Sequence, residues 1–307
     1  MKKWRNMDVS VEVNKIRLNQ GRWEKMTVFT YNSPLEYESR VQSFLLENEA
    51  MHNLPLGIIQ RMKTDMGRFE KEPVLGYLDH LGEIKTVLMR TPPHMWILAS
   101  HIELSDQDIN ILVHFFKDNH HPVPGMIGAS DNVTRFAEAW KKAVGVEYEV
   151  HMKQKVFQLD EVLTHQKSPG HLIKATEDHA ALAREWMHAF GQEANVVHSE
   201  DELNEVVERL LNEQTLRLWV VDGEPVSMVN QSRNTPNGTT VSAVYTPDAH
   251  KRKGYATSAV AALSQELLGE GYQFCCLYTD LSNPTSNGIY QKIGYKPVGN
   301  SMVVNFI

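Results

Sequence analysis

Apolar residues recur along this chain with two periods, one typical of helices and one typical of strands. The helical period predicts helices at about 34–51, 57–69, 105–117, 131–144, 177–190, 199–214, 254–268 and 284–293. Alternation and β-branched runs predict strands at about 26–31, 74–79, 83–89, 95–99, 123–127, 147–159, 171–175, 216–221, 225–231, 239–246, 273–279 and 295–306. Hairpins interspersed with helices predict a mixed α/β (α+β) fold, with mostly antiparallel sheets flanked by helices.

Both halves of the chain follow one order of predicted elements. Each contains a strand, two helices, three antiparallel strands, a helix, a strand, a helix and a final strand, which is an internal repeat of architecture. The run Lys167-Ser168-Pro169-Gly170 separates the halves, because the residue before a proline and a following glycine do not readily continue a helix or a ladder. We therefore expect an N-terminal extension at 1–25 and two domains, at 26–168 and 171–307.

Composition and charge narrow the classes of function. Of the 307 residues, 42% are hydrophobic and 22% are charged, as in globular proteins. The net charge of −7 provides no electrostatic footprint for nucleic acid or acidic lipid. No apolar run approaches the roughly 20 residues of a membrane-spanning helix, and no signal-peptide segment is recognisable, so we expect a cytoplasmic protein. The only cysteines, Cys275 and Cys276, are adjacent and are expected to be reduced.

An anion site is indicated where one predicted strand leads into a predicted helix. The connection ends on Lys251-Arg252-Lys253-Gly254-Tyr255-Ala256, a cationic cluster in an otherwise acidic half of the chain. Backbone N–H groups at a helix N-terminus are unpaired and partly positive. Gly254 and the small Ala256 let a diphosphate approach the main chain closely. The alternative interpretation of this run alone is a solvated basic turn.

The last predicted helix carries polar side chains on one face. Asn287 and Tyr290 are three residues apart and therefore lie on the same side of that helix. Asn283 lies at its start, where a side-chain amide can reach a ligand beside the preceding strand. The alternative for Tyr290 is a core tyrosine on an amphipathic helix.

Together, these two segments resemble the GNAT superfamily of acyl-CoA-dependent N-acyltransferases over about residues 171–307. In that family a Q/R-x-x-G-x-G/A segment wraps the diphosphate of coenzyme A, and an N-x-x-x-N-x-x-Y helix follows. Lys251 departs from the usual Arg or Gln, and Arg252 stands where Gly is common. Both departures keep positive charge, so they affect affinity or acyl-CoA preference more than the presence of the site.

The resemblance implies tandem GNAT-like folds and transfer of an acetyl group from acetyl-CoA to a primary amine in a ternary complex, without a metal. It implies that the diphosphate binds at Lys251, Arg252, Lys253, Gly254, Tyr255 and Ala256, the pantetheine arm at Val244, Tyr245 and Thr246, and other parts of the co-substrate at Asn283 and Asn287. Tyr290 is the expected acid for the leaving thiolate. A backbone N–H near Val244 is the expected donor to the thioester oxygen.

The base that deprotonates the amine is not identified by the sequence. Some family members carry a glutamate on the strand before the diphosphate loop, but the predicted strand 239–246 holds no carboxylate. Asp280 and Glu193 are candidates, with a surface or capping role as the alternative for each. The acidic helix at 199–214 either draws a cationic acceptor to the site or complements its own helix dipole.

The first half lacks the features of this site. Its corresponding connection, at 100–108, contains no glycine and three acidic residues, which would repel a diphosphate. We therefore expect a degenerate GNAT-like domain at 26–168 and one active site per chain. The 14 histidines show no metal-ligand spacing with carboxylates or thiols.

Two other functions remain open from the sequence. A tandem acyltransferase fold can use another donor, such as aminoacyl-tRNA, although the diphosphate loop argues against it. A non-enzymatic acyl-CoA-binding module is favoured if no group takes the amine proton. The expected acceptor is a small molecule or a peptide with an amine, and the sequence decides neither its identity nor the oligomeric state.

Overall fold

The computed structural model describes residues 11–15, 26–64, 67, 69, 71–163, 167–194, 199–282 and 284–307. Asn283 and the side chain of Asn287 lie outside the described part. The chain divides into two compact units, residues 1–154 with 299–307, and residues 155–298. The domains expected at 26–168 and 171–307 were defined by the repeated order of elements and stay a prediction. The compact units have different bounds, because residues 155–168 belong to the second unit and residues 299–307 to the first.

The first unit is built around a sheet with one parallel pair. It contains strands β1 (Val11–Lys15), β2 (Met26–Tyr31), β3 (Val74–His80), β4 (Glu83–Arg90), β5 (Trp96–Ala99) and β6 (Gly125–Ala129), and helices α1 (Pro34–Leu46), α2 (Asn53–Thr64), α3 (Asp106–Asp118) and α4 (Ser130–Val144). Strand β7 (Tyr148–Leu159) continues from this unit into the second, and the last strand, β13 (Lys296–Phe306), returns from it. Neighbouring strands from β1 to β6 pair in sequence, all antiparallel except β5 with β6, and β13 adds antiparallel beside β6.

Helices cover both faces of this sheet. Side chains of α1 and α2 share one buried cluster with strands β2 to β5. Side chains of α3 and α4 share another, which Met302 and Val304 of β13 complete. The C-terminal strand is therefore part of the first unit's core, although its sequence follows the elements of the second.

The second unit repeats this arrangement. It contains strands β8 (His171–Lys174), β9 (Leu216–Val221), β10 (Glu224–Asn234), β11 (Gly238–Tyr245) and β12 (Phe274–Asp280), and helices α5 (Ala180–Glu193), α6 (Glu200–Asn212), α7 (Tyr255–Gly269) and α8 (Pro284–Ile293). Strands β8 to β11 pair antiparallel in sequence, and β11 pairs parallel with β12. Helices α5 and α6 pack on one face, and α7 and α8 on the other. The predicted mixed α/β fold, with mostly antiparallel sheets flanked by helices, is confirmed.

Local chemistry explains where several elements begin. The Ser33 side chain accepts a hydrogen bond from the backbone N–H of Glu36 at the start of α1. At the start of α6, Ser199 and Glu202 form a reciprocal capping box. Asp222 and Gly223, at φ 50° and 83°, make the tight turn between β9 and β10.

The first two helices differ from their predicted bounds. The first ends at Leu46 instead of about 51, and the second begins at Asn53 instead of about 57. Residues between them form turns that are tied by the side-chain amide of Asn53, which donates to the carbonyl of Ala50 (2.6 Å). Pro55 sits in the first helical turn, where its missing N–H leaves no bond unmade.

Two further expectations can be compared with the structure. Cys275 and Cys276 are both buried in β12, and the expectation that they are reduced stays a prediction. Over the described residues, no helix combines the length and the apolar character needed to cross a membrane.

Gly128 allows the close approach of β6 to β5. A Cβ atom added there would lie 2.2 Å from the backbone carbonyl oxygen of Leu98. We predict that Gly128→Ala lowers the free energy of unfolding by about 1–3 kcal/mol in urea titrations, because the strands must separate. The control is Gly269→Ala, where an added Cβ meets nothing within 4 Å and stability should hold or rise. A Gly128→Ala protein as stable as wild type would contradict this packing.

Candidate functional site

Strands β11 and β12 pair over only part of their length. Gly238, Thr239 and Thr240 pair with Phe274, Cys275 and Cys276, whereas the strands continue to Tyr245 and Asp280. Over these fully described strands, no later residues of the two pair with each other. Two parallel strands that separate in this way leave the facing backbone N–H and C=O groups available for a ligand.

A β-bulge in β11 accounts for this separation. Met228 of β10 pairs with Tyr245 and Asn230 pairs with Ser242, so β11 spans one residue more than β10 between these pairs. Ala243 lies within the bulge and adopts a left-handed backbone conformation with φ 47°. An extra residue of this kind bends its strand and increases the local twist.

The end of β11 is also held to β10 by side-chain hydrogen bonds. The Ser227 hydroxyl donates to the carbonyl oxygen of Tyr245 (2.9 Å) and shares a hydrogen bond with the Thr246 hydroxyl (2.8 Å). Ser227 and Thr246 are buried. These bonds fix the strand end on the β10 side, which keeps its other edge open toward β12.

The loop after β11 has the backbone conformation of an anion-binding site. Arg252 and Gly254 are both left-handed, with φ 63° and 80°. Gly254 is the N-cap of α7, and no side chain caps the helix there. Residues 251–254 are exposed. Turns that contain left-handed residues can direct backbone N–H groups toward one side, where they add to the positive end of the helix dipole.

Gly254 packs against the segment that was expected to separate the domains. The Ser168 hydroxyl donates to the carbonyl oxygen of Lys253 (2.8 Å), and the Ser168 N–H donates to the Ser258 hydroxyl (2.8 Å). A Cβ atom at position 254 would lie 2.6 Å from Ser168 Oγ. The positive φ therefore favours glycine here, and any side chain would also force the Ser168 hydroxyl to move.

The three basic residues of the loop have different surroundings. Lys251 Nζ contacts Asp248 Oδ1 (2.8 Å) and Glu193 Oε1 (2.7 Å). Hydrogen bonds to Asp248 and Glu193 raise the pKa of Lys251 above its ordinary value. Within the described residues, Arg252 and Lys253 form no ion pair. The free positive charge therefore lies on Arg252 and Lys253, while Lys251 ties the loop to the end of α5.

Tyr290 lies in the core on the α7 and α8 side of the sheet. It is 8% exposed, and its ring centroid lies 5.9 Å from that of Tyr295 and 6.4 Å from that of Phe157. Burial raises the pKa of Tyr290 to about 12. The phenol is therefore protonated at neutral pH and available as a hydrogen-bond donor.

The open strand ends connect two differently covered faces. Val241 and Leu277 belong to the buried cluster of α7 and α8, with Val244 packed against it. Met228 and Ala243 belong to the cluster of α5 and α6, with Tyr245 packed against it. A ligand between the strand ends can therefore reach both faces of the sheet. One face is covered by α7 and α8 and includes Tyr290, and the other is covered by α5 and α6.

The carboxylates considered as bases already have structural partners. Asp280 Oδ1 accepts a hydrogen bond from the backbone N–H of Ser282 (2.8 Å). Glu193 pairs with Lys251, as described above. In the acidic helix, Glu202 accepts from the backbone N–H of Ser199 (2.8 Å). The base is not identified by these contacts.

Comparisons with known proteins bear on the fold that carries this site. The family model described as FR47-like protein matches residues 218–304, which include β11, α7 and β12. Similar solved structures include a Drosophila protein (TM-score 0.62, 11% identity, 90% of this chain and 97% of that one). A GNAT-family acetyltransferase from Colwellia psychrerythraea has a TM-score of 0.55 at 11% identity, over 91% of this chain and 98% of that one. A tandem GNAT protein from the clavulanic acid biosynthesis pathway has a TM-score of 0.51 at 12% identity, over 92% and 98%.

The chain has a tandem GNAT fold. The tandem GNAT-like folds predicted from the sequence are therefore confirmed. At these identities, structural similarity establishes the fold and leaves the reaction to be argued from the site. No curated protein matches this sequence.

The first GNAT-like unit differs at the corresponding position. Strand β5 pairs with β6 from Trp96 to Leu98 and extends only one residue further, to Ala99, whereas β11 extends five residues beyond its last pair with β12. The N-terminus of α3 is capped by Ser105 and Asp108, which satisfy each other's backbone N–H groups. The open strands and uncapped helix therefore distinguish the second unit from the first.

Several residues of the second GNAT-like unit were not found from the sequence. Ser168 and Ser258 buttress Gly254, Ser227 fixes the end of β11, and Ala243 makes the bulge. The proline and glycine after Ser168 indicated a loop, but no nearby residue indicated that Ser168 contacts the loop before α7. No group of three or more His, Cys, Asp or Glu residues suited to a metal occurs among the described residues.

The pKa of Tyr290 predicts how stability depends on alkaline pH. Between pH 10 and pH 12 an unfolded tyrosine ionises while folded Tyr290 does not, so folding stability falls as pH rises through this window. Tyr290→Phe removes this contribution. From pH 9 to pH 11, wild type should lose roughly 1 kcal/mol more unfolding free energy than Tyr290→Phe in urea titrations. Identical losses in the two proteins would show that Tyr290 is not desolvated.

Proposed function

We propose that the second unit is an N-acetyltransferase that transfers the acetyl group of acetyl-CoA to a primary amine. The observation that carries this proposal is the open edge between β11 and β12 beside the uncapped N-terminus of α7. An extended amide-containing chain fits an open strand edge, and a diphosphate fits a helix N-terminus. A nucleotide thioester with a pantetheine arm has both parts.

The loop residues would hold the diphosphate chiefly through the main chain. N–H groups from Lys253 to Ala256 provide donors, and Arg252 and Lys253 add charge that described carboxylates do not neutralise. Tyr255 is half-buried at the helix start, with its ring centroid 6.4 Å from that of His250. Lys251 would act indirectly, because its ion pairs orient the loop.

The pantetheine arm would pair with the open edge at the end of β11. Val244 and Thr246 supply backbone groups there, because the bulge at Ala243 turns the strand end away from β12. Tyr245 remains a proposed contact, with its carbonyl oxygen already bonded to Ser227 on the β10 side. In this proposal a backbone N–H near Val244 donates to the thioester oxygen as negative charge develops on it. Asn283 and Asn287 remain proposed contacts to the co-substrate from the start of α8.

The amine attacks the thioester carbon directly, and the carbon–sulfur bond breaks as the new carbon–nitrogen bond forms. An alkylammonium with pKa about 10.4 must first lose a proton, which costs roughly 4–5 kcal/mol at pH 7. With no carboxylate on β11, water is the proposed carrier of this proton from the site to solvent.

The pKa of Tyr290 defines its part in the departure of the thiolate. Complete proton transfer from a phenol of pKa about 12 to a thiolate of pKa about 8.5 is uphill by roughly 5 kcal/mol. Tyr290 therefore stabilises the thiolate by donating a hydrogen bond, and the proton that completes the thiol comes from solvent. This modifies the role expected from an ordinary tyrosine.

Acetyl-CoA binding tests the proposed diphosphate site. Isothermal titration calorimetry should show binding by wild type, and Gly254→Val should weaken it at least tenfold, because the side chain strains φ 80° and collides with Ser168. Gly269→Ala serves as the control and should bind as wild type does. Absence of binding by wild type would exclude the main proposal, and unchanged affinity in a folded Gly254→Val protein would exclude this loop.

Turnover tests the role of Tyr290. Free-thiol release should be measured with acetyl-CoA and a panel of common amino acids, diamines and a lysine-containing peptide. We predict that Tyr290→Phe lowers kcat about 100-fold and leaves the Kd for acetyl-CoA within about twofold, since only the hydrogen bond to the thiolate is lost. Wild-type kcat in Tyr290→Phe would remove Tyr290 from the reaction. Tight acetyl-CoA binding without thiol release from any amine would favour a binding module over an enzyme.

A further inference from the structure

A buried amide next to the open strand ends lacks a partner for its oxygen. Asn230 of β10 is 3% exposed. Its Nδ2 donates to the hydroxyl oxygen of Ser242 on β11 (3.3 Å). Its Oδ1 is fully buried and has no hydrogen-bond partner. Buried carbonyl oxygens are nearly always paired, so an unpaired one at a binding site indicates a donor that arrives with a ligand.

The position of Asn230 places this oxygen on the α5 and α6 side of the sheet. Asn230 pairs in register with Ser242, which follows the last β11–β12 pair, at Thr240, by two residues. Val229 and Val241, the adjacent residues on the two strands, belong to the buried cluster of α7 and α8 on the opposite face. Side chains alternate along a strand, so Asn230 and Ser242 face away from that cluster. Ser242 is half-buried and connects the pair to the open region.

Neighbouring polar side chains are already paired. The Ser232 hydroxyl donates to the carbonyl oxygen of Thr240 (3.2 Å). Gln231 Nε2 contacts Thr239 Oγ1 (3.3 Å) and Tyr272 Oη (3.2 Å). These side chains hydrogen-bond to other groups of the unit, whereas Asn230 Oδ1 can still accept a hydrogen bond.

We propose that Asn230 Oδ1 binds the amino group of the acceptor by accepting a hydrogen bond from one of its N–H groups. This inference rests on the proposed acetyl transfer and identifies the amine-binding residue of that site. A primary ammonium has three N–H donors, so it can lose one proton and still donate to Asn230. The lone pair released by that loss is then free to attack the thioester carbon between the strand ends.

A neutral amide suits this role better than a carboxylate. A carboxylate beside an ammonium favours its charged form and raises its pKa, which makes the lone pair harder to expose. The amide oxygen orients the amine with a smaller preference for the charged form. Ser242 already accepts from Asn230, so its own O–H can donate to the water that receives the proton.

The test compares Asn230→Leu with wild type in steady-state kinetics, using acetyl-CoA and the most active amine of the panel. Leucine has a similar shape and lacks the oxygen. We expect the KM for the amine to rise at least tenfold and the Kd for acetyl-CoA to stay within twofold. The melting temperature should stay close to that of wild type, because removing the unpaired buried oxygen offsets the loss of the hydrogen bond to Ser242. Asn230→Asp, which restores an accepting oxygen, should bring the amine KM back to within about threefold of wild type.

The matched control is Asn132→Leu in the first unit. Asn132 is also buried, but its Oδ1 accepts from the Leu104 N–H (2.9 Å) and its Nδ2 donates to the Ile102 carbonyl (2.9 Å). This substitution should lower the melting temperature and leave the amine KM unchanged. An Asn230→Leu protein with wild-type amine KM, or one as destabilised as Asn132→Leu, would overturn the role of Asn230 and leave the proposed function standing. A wild-type protein that neither binds acetyl-CoA nor releases thiol would overturn the proposed function and this inference with it.

Discussion

Backbone polar groups need hydrogen-bond partners, so the separation of β11 from β12 leaves groups on both strands that must be satisfied from outside the sheet. Parallel strands within a sheet normally satisfy each other along their whole shared length. Here the pairing stops at Thr240 and Cys276, because the bulge at Ala243 and the bonds of Ser227 hold the end of β11 toward β10. The unpaired edges require either water or a ligand with amides of its own. The proposed chemistry depends on this opening.

The two units differ in the backbone groups that they leave available at corresponding positions. In the second, glycine begins α7 and leaves its first N–H groups without a side-chain cap. In the first, Ser105 and Asp108 occupy the equivalent helix start, and β5 extends only one residue beyond its pairing with β6. A helix start closed by its own carboxylate has neither the donors nor the potential for an anion. The difference lies in a few residues, while the surrounding architecture is the same.

The sequence predicted what depends on local pattern. The periods of apolar residues gave the elements and their order, and the cationic run before α7 located the candidate site. Contacts between distant segments were not predictable in this way. Ser168 was placed in a linker although it buttresses Gly254, and Lys251 was expected to meet a diphosphate although Asp248 and Glu193 contact it. Asn230 was missed because an unsatisfied oxygen is visible only when all its neighbours are known.

The central claim is that main-chain groups of β11 and of the α7 start bind a nucleotide thioester. Hydrogen–deuterium exchange with and without acetyl-CoA measures this directly, because bound amides exchange more slowly. We predict slower exchange in peptides that cover 244–246 and 253–257, with no change at the capped start of α3 around 105–108. Unchanged exchange at both β11 and α7 under saturating acetyl-CoA, or slowing confined to the first unit, would contradict it.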